Sequence, residues 1–266
     1  MDESAKHLAA IRDQFTRQAD VYARMRQTTD PAGLDALVML SGAEPEHRVL
    51  DVACGPGFLT MAFAARCREA VGADATDRFL ALARSEAASR GLANVRFEPA
   101  DAERLPFDDG SFDVVACRAA FHHFVRPERV LGEMKRVAKG DGRLLVADLL
   151  GSEDPTRAAY HDRIERLCDP THVCALPRSA FDALFRDTGL DVALRPTTVV
   201  HYDLEEWMAH GGPSPEVARE IVALMEDSLP DDRSGLKVRR ENGRLAFSHN
   251  AAAFVLRPAG PAAPRS

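Results

Sequence analysis

The stretch Asp51-Val52-Ala53-Cys54-Gly55-Pro56-Gly57 restricts the fold of this 266-residue chain more than any other part of it. It continues the apolar run Arg48-Val49-Leu50 and leads into helix-like sequence over 58–68. A short apolar run that closes on a Gly/Pro turn reads as a buried parallel strand. A strand that ends in glycines and opens directly into a helix lets a ligand lie against the backbone at the carboxyl edge of a sheet. Alone, the turn does not say which ligand.

The flanking sequence keeps the same rhythm. Strand-like runs at 70–74, 95–97, 111–117 and 142–149 alternate with helical patterns at 76–90, which Gly91 ends, and at 127–138. Strands alternating with helices over ~100 residues mean βαβ units and a parallel, doubly wound α/β sheet. Ahead of it, residues 5–27 read as a helix with apolar positions at Leu8, Ile11, Phe15, Ala19 and Tyr22. Asp30-Pro31 then restarts a second helix as N-cap and first helical residue. After 150 the alternation loosens. Residues 151–177 look helical and irregular, 179–188 is a helix ended by Gly189, 192–202 a sixth strand, 203–240 helical with the single Trp207, and 251–256 a last strand after an Asn242-Gly243 turn. The Pro/Ala-rich end reads as a disordered tail.

Acidic residues narrow the ligand. A dinucleotide fingerprint wants G-x-G-x-x-G, with a pyrophosphate on the helix N-terminus; here Thr60 stands at the third glycine position. Asp51 at the first strand end suits a site beside an ammonium group rather than a pyrophosphate. Asp74, closing the second strand, is placed to accept from two ribose hydroxyls, which alone also fits NAD. Asp101, after the third strand, is placed for an adenine amino group, and NAD binding does not demand it.

Composition removes other classes. With 45% hydrophobic residues the chain is globular. A net charge of -7 and the lack of a Lys/Arg run argue against a nucleic-acid partner. No apolar run approaches the ~20 residues of a membrane span, and the N-terminus lacks a signal-peptide pattern. The five cysteines, Cys54, Cys67, Cys117, Cys168 and Cys174, show neither a CxxC nor an even count, so reduced thiols and a cytoplasmic location are expected. No metal-ligand spacing stands out. Monomer and homodimer stay open.

Five segments in order carry a resemblance: residues 49–57, Val71-Gly72-Ala73-Asp74, residues 101–107, Ser111-Phe112-Asp113-Val114-Val115 and residues 130–137. Together they resemble the successive motifs of class I S-adenosylmethionine (SAM)-dependent methyltransferases, in the ubiquinone/menaquinone-biosynthesis-type (methyltransferase type 11) branch. Gln14-Phe15 with Ala19 and Tyr22 is similar to that branch's N-terminal helix. The resemblance implies a Rossmann-like, doubly wound seven-stranded sheet with the last strand antiparallel. It implies lid helices over 1–43, a SAM-binding domain over 44–257 with cap insertions at about 151–177 and 203–243, and a tail at 258–266. It implies SAM across the strand ends: Asp51, Ala53, Gly55 and Gly57 at the methionine end, Asp74 and Ala75 at the ribose, and Asp101 and Ala102 at the adenine. Ala53 departs from the glycine usual in the family.

Methyl transfer is an in-line displacement that needs a positioned nucleophile and, for a protonated one, a base. Arg118-Ala119-Ala120-Phe121-His122-His123 follows the fourth strand on the side of the expected methyl site. His122 or His123 is a candidate base, and Arg118 a candidate holder of the SAM carboxylate or an anionic acceptor. In the first insertion His172 is a further candidate; Asp169-Pro170 beside it reads either as its acidic partner or as a turn. Phe15, Tyr22, Trp207 and His210 are candidate acceptor contacts. The expected activity is methylation of a small molecule at oxygen or carbon, in preference to nitrogen. The alternatives are a SAM-fold protein without methyl transfer, partner-binding or isomerase-like, and an NAD(P)-dependent oxidoreductase.

Overall fold

The computed structural model describes residues 3–259. In chain order the elements are α1 (Glu3–Tyr22), α2 (Arg26–Thr29), α3 (Pro31–Ser41), β1 (Arg48–Val52), α4 (Phe58–Ala64), β2 (Glu69–Asp74), α5 (Asp77–Ser89), β3 (Val95–Pro99), β4 (Phe112–Arg118), α6 (Pro127–Val137), β5 (Ala138–Leu149), α7 (Pro155–Cys168), α8 (Arg178–Asp187), β6 (Leu190–Leu194), β7 (Thr197–Asp203), α9 (Leu204–Gly211), α10 (Pro215–Asp227), β8 (Arg239–Glu241) and β9 (Arg244–Pro258).

The sheet runs β3-β2-β1-β4-β5-β9-β6. β1 pairs in parallel with β2 and β4, β4 with β5, and β9 is antiparallel to β5 and β6. These seven strands are the expected core, and β7 and β8, both antiparallel to β9, make the sheet nine-stranded. Strand order reverses between β1 and β4, and in such sheets the crevice outside the carboxyl ends at that reversal receives ligands. Alternation along β1 assigns the faces. Leu50 and Val52 join the core formed with α6 and α8, while Val49 joins the one formed with α3 and α4. Asp51 shares Val49's side and meets α4 there.

The helix signals work as read. The Asp30 side chain accepts from the Gly33 N–H at 3.1 Å, Pro31 is at the first helical position, and Gly42 closes α3 with φ 66°. Two differences come from the carboxyl-terminal half. The strand expected over 192–202 is two strands, split at Arg195-Pro196. Proline has no N–H to give a ladder, and β7 resumes against a different part of β9. The last strand is 15 residues long rather than a short run over 251–256. It begins after the Asn242-Gly243 turn, both residues at positive φ (51° and 81°) as a tight hairpin requires. Its first half pairs with β7 and β8 and its second half with β5 and β6. The helix expected over 5–27 ends at Tyr22 and restarts as α2. Pro258 closes β9, so of the expected tail only residues 260–266 lie outside the described residues.

A separate apolar cluster joins α7, α9 and α10 to the beginning of β9: Ile164, Cys168, Leu204, Trp207, Ile221, Met225, Leu236, Val238 and Phe247. β9 thus ties this helical assembly to the central sheet. All five cysteines are free thiols. Among the described residues no helix is long and apolar enough to cross a membrane.

Candidate functional site

The glycine turn is held by side chains as well as by its own backbone. The Asp74 carboxylate, 8% exposed at the end of β2, accepts from the Gly55 N–H at 2.8 Å and from the Thr76 N–H at 2.7 Å. Thr60 donates its hydroxyl to Asp51 Oδ2 at 2.6 Å. The residue at the third glycine position therefore anchors the strand-end acid. Burial pushes Asp51 up to about 7, against the lowering effect of the Thr60 bond, and burial likewise raises Asp74. Neither acid has a cationic partner within ion-pair distance among the described residues.

Two glycines are needed for different reasons. Gly57 has φ 79°, and a Cβ there would stand 2.6 Å from Phe97 Cε1; the helix and strand pack over it. Gly55 has φ 54°, but the nearest atom to a Cβ would be on Phe79 at 4.0 Å. Space is kept there at the crevice. Ala53 also sits at φ 54°, and Ala119, after β4, at φ 52°. A left-handed alanine costs roughly 1–2 kcal/mol, which explains why glycine is usual at the Ala53 position.

Three adjoining cavities line up along the strand ends under α1. The first is lined by Asp74, Ala75, Asp101 and Ala102, with Ser4, His7, Leu8 and Ile11 of α1 above. The second is lined by Asp51, Ala53, Gly55, Asp74, Thr76 and Arg118, with Phe15 and Tyr22 above. The third continues past Arg118 and Ala119 to His122, His172, Trp207, His210 and Tyr202. α1 is fastened across them by bonds from Ser4 to Glu103 (3.0 Å), from Arg12 to the Ala75 carbonyl (3.0 Å) and between His7 and the His123 carbonyl (2.9 Å).

Of the residues expected from sequence, Asp51, Ala53, Gly55, Asp74, Ala75, Asp101, Ala102 and Arg118 border the first two cavities. Gly57 stands behind the turn, against Phe97. Asp101 folds its own loop, accepting from the Glu103 N–H at 2.9 Å. Arg118 donates to the carbonyls of Gln27 (3.4 Å) and Thr28 (3.0 Å), joining α2 to the sheet, and has no carboxylate partner among the described residues.

The three candidate histidines meet at the third cavity, His123 4.3 Å and His172 5.6 Å from His122 between ring centroids, but take different partners. His122 Nδ1 lies 2.6 Å from Asp148 Oδ1. Asp148, 4% exposed at the end of β5, also accepts from the N–H groups of Ala120 (2.9 Å), Phe121 (2.7 Å) and Leu149 (2.7 Å). Burial disfavours the His122 imidazolium, but Asp148 outweighs it and His122 is more basic than an ordinary histidine. His123, at the junction of all three cavities, is pushed down to about 3 by burial and by His122, so it stays neutral. Its Nδ1 faces the Thr171 carbonyl at 3.0 Å. His172 pairs with Asp162 (2.8 Å), not with Asp169. Asp169 makes the turn instead, accepting from the Thr171 N–H at 2.8 Å and the Thr171 hydroxyl at 2.6 Å.

Phe15, Tyr22 and His210 reach the third cavity together: Tyr22 packs edge-on against Phe15 (5.9 Å) and His210 (6.4 Å). Trp207, only 4% exposed, borders that cavity and anchors the helical cluster, edge-on to Phe247 at 5.3 Å. Sequence reasoning missed Asp148, Asp162, Glu165, Tyr202 and His249. Asp148 left one signal: an acid interrupting the apolar run 144–150 in a buried strand demands a partner.

The methyltransferase-domain family matches residues 50–146. The uncharacterized methyltransferase YcgJ of Bacillus subtilis is 32% identical over 82% of this chain and 87% of its own length. Its crystal structure superposes with a TM-score of 0.78, covering 86% of this chain and 98% of that one. A Bacillus halodurans protein assigned as a methyltransferase gives a TM-score of 0.81 at 26% identity, covering 86% of this chain and 100% of that one. The ubiquinone/menaquinone biosynthesis C-methyltransferase UbiE of Ectopseudomonas mendocina is 41% identical over 47% of this chain and 50% of its own length.

Proposed function

The chain belongs to the class I SAM-dependent methyltransferases, and on that premise we propose that it methylates an oxygen, or the adjoining carbon, of a small phenol- or enol-like acceptor seated in the third cavity. SAM, when bound, supplies a methyl carbon on a positively charged sulfur, open to in-line attack. The crevice suits that group. Space is kept over Gly55, and Asp51 is a buried acid with no cationic partner within ion-pair distance among the described residues, fitting an ammonium group. Asp51, Ala53 and Gly55, with Gly57 shaping the turn, would hold the methionine end. Asp74 and Ala75 would hold the ribose, and Asp101 and Ala102 the adenine. Arg118, between the second and third cavities, would meet a carboxylate. The N-terminal helices and the segments 151–177 and 203–243 would serve as its lid.

The observation that carries the reading is the His122–Asp148 pair beside the third cavity. Asp148 is ionised; burial raises its pKa, but the His122 contact and the backbone N–H bonds outweigh this and hold it below the usual carboxylate range. It accepts the proton on His122 Nδ1, which fixes the tautomer and leaves Nε2 as the acceptor. An acceptor O–H directed at Nε2 gives up its proton there, and Asp148 stabilises the imidazolium that forms. The oxygen is left with the electron pair needed for attack. In a phenolate or enolate that pair is shared with the neighbouring carbon, so one base serves oxygen and carbon methylation alike. The UbiE relative, a C-methyltransferase by name, supports that choice. A neutral amine already carries its lone pair, so a base adjacent to the nucleophile favours an O–H acceptor.

The test is methyl transfer from labelled SAM to a panel of phenols, enols and amines, with wild type and His122→Asn. Transfer to O–H acceptors that falls about 10²–10⁴-fold in the variant, with S-adenosylhomocysteine affinity unchanged, is the expected result. Preference for amines, or a variant as active as wild type, overturns the reading.

A further inference from the structure

His161 and Glu165 lie one turn apart on α7, so their side chains share a face. β9 brings His249 to the same point. Glu165 Oε1 stands 3.3 Å from His161 Nε2 and 3.1 Å from His249 Nε2. The three residues offer ligand atoms that all lie within 4.8 Å of one another. Bonds of about 2.0–2.1 Å in a tetrahedral shell place neighbouring ligand atoms roughly 3.3 Å apart, so Glu165 already sits at tetrahedral spacing from both rings. All three residues are more than nine-tenths buried, at 3%, 7% and 2% exposed.

We propose that His161, Glu165 and His249 form a binding site for a zinc-class divalent cation bordering the third cavity. Two imidazoles and one carboxylate are a borderline donor set that suits zinc better than magnesium or calcium. Glu165 and His249 both line the cavity, so a fourth position would be reachable from it, as in three-ligand sites that keep one place open. The other ring nitrogen of His249, Nδ1, has no hydrogen-bond partner among the described residues, so the ring is committed to the cluster through Nε2 alone. The His249 ring is fixed by Tyr202 (5.3 Å, edge-on), Phe247 (5.3 Å) and His161 (5.0 Å). The donors are thus held in place before a cation arrives. A role for the cation in holding an acceptor oxygen rests on the reading of the third cavity above; the cation site itself does not.

The chelator-stripped full chain is dialysed against Zn²⁺ and the bound metal counted, then titrated with Co²⁺ and followed in the visible spectrum. The expected result is one equivalent of Zn²⁺, a tetrahedral-type Co²⁺ spectrum, and binding weakened at least roughly tenfold in both Glu165→Gln and His249→Gln. S-adenosylhomocysteine affinity, measured on the same samples, reports folding and the SAM crevice independently. A wild-type chain that takes up no equivalent of Zn²⁺ overturns the site, whatever the variants do. So does uptake that persists undiminished in a folded Glu165→Gln. Zinc binding without S-adenosylhomocysteine binding would uphold the cation site and sink the assignment of the crevice.

Discussion

The crevice over β1 and β2 and the histidine cavity beside it differ in how they are built. In the crevice, each part comes from a strand end and the few residues after it: Asp51 to Gly57, Asp74 to Thr76, Asp101 to Glu103. In the histidine cavity, His122 follows β4, Asp148 ends β5, His172 follows α7 and His249 lies in β9. Partners there are far apart in sequence, as His122 and Asp148 are by 26 positions. The first site is carried by local turn chemistry, the second by sheet order and by the docking of α7, α9 and α10 on β9. Damage to the first should therefore appear as lost stability and cofactor affinity. Damage to the second should appear as lost turnover in a protein that still folds and binds cofactor.

Asp148→Asn tests the largest difference. Removing the carboxylate that orients His122 should cut kcat about 10³-fold while leaving S-adenosylhomocysteine binding within a few fold. Equal loss of both would erase the distinction between the regions. The pH profile sharpens it. His122 must be unprotonated to accept a proton, and Asp148 makes it more basic than usual, so wild-type activity should rise with pH on the alkaline side of the ordinary histidine range. In the variant burial is opposed only by the weaker pull of Glu165 and Asp169, and the inflection should move to lower pH. Stability follows the opposite sign. The raised His122 contributes fully below its unfolded value and loses the contribution as pH rises through the folded one. Asp148, held low, contributes above its unfolded value and loses it as pH falls through the folded one. The pair should stabilise most between about pH 4 and 6.5, as urea unfolding against pH would show.

Gly57→Ala strikes the other region. Its methyl group would meet Phe97 at 2.6 Å and Ala83 Cβ at 3.0 Å with φ at 79°. Overpacking and left-handed strain together predict about 2–4 kcal/mol of lost stability, read from urea unfolding, with weakened S-adenosylhomocysteine binding. The smallest effect is Ala53→Gly. Relief of the left-handed strain exceeds the entropy that glycine adds to the unfolded chain, for a gain of up to about 1 kcal/mol. A loss would mean that the methyl group makes contacts worth more than its strain.

The sheet was readable because apolar runs closing on Gly, Pro and Asp repeat at regular intervals, and the crevice residues were readable because each sits within a few positions of a strand end. Reading was poorer from 192 onward. Pro196 divides one expected strand in two, and the length of β9 depends on β7 and β8 folding back to cover its first half. His122 was visible as a candidate but its partner was not: Asp148 looked like an interruption of an apolar run. The pairing of His172 with Asp162 rather than with its neighbour Asp169 was likewise invisible, because Asp169 is consumed by its own turn.

By itself, then, the sequence determined the parallel sheet, the glycine turn and the acids that follow each strand, since turns, caps and strand ends are set by the chemistry of adjacent residues. Only the tertiary structure decided which histidine is made more basic, which is held neutral and which share Glu165. Those outcomes depend on distances across the fold and on the burial that comes with them, and neither is set by neighbours in the chain.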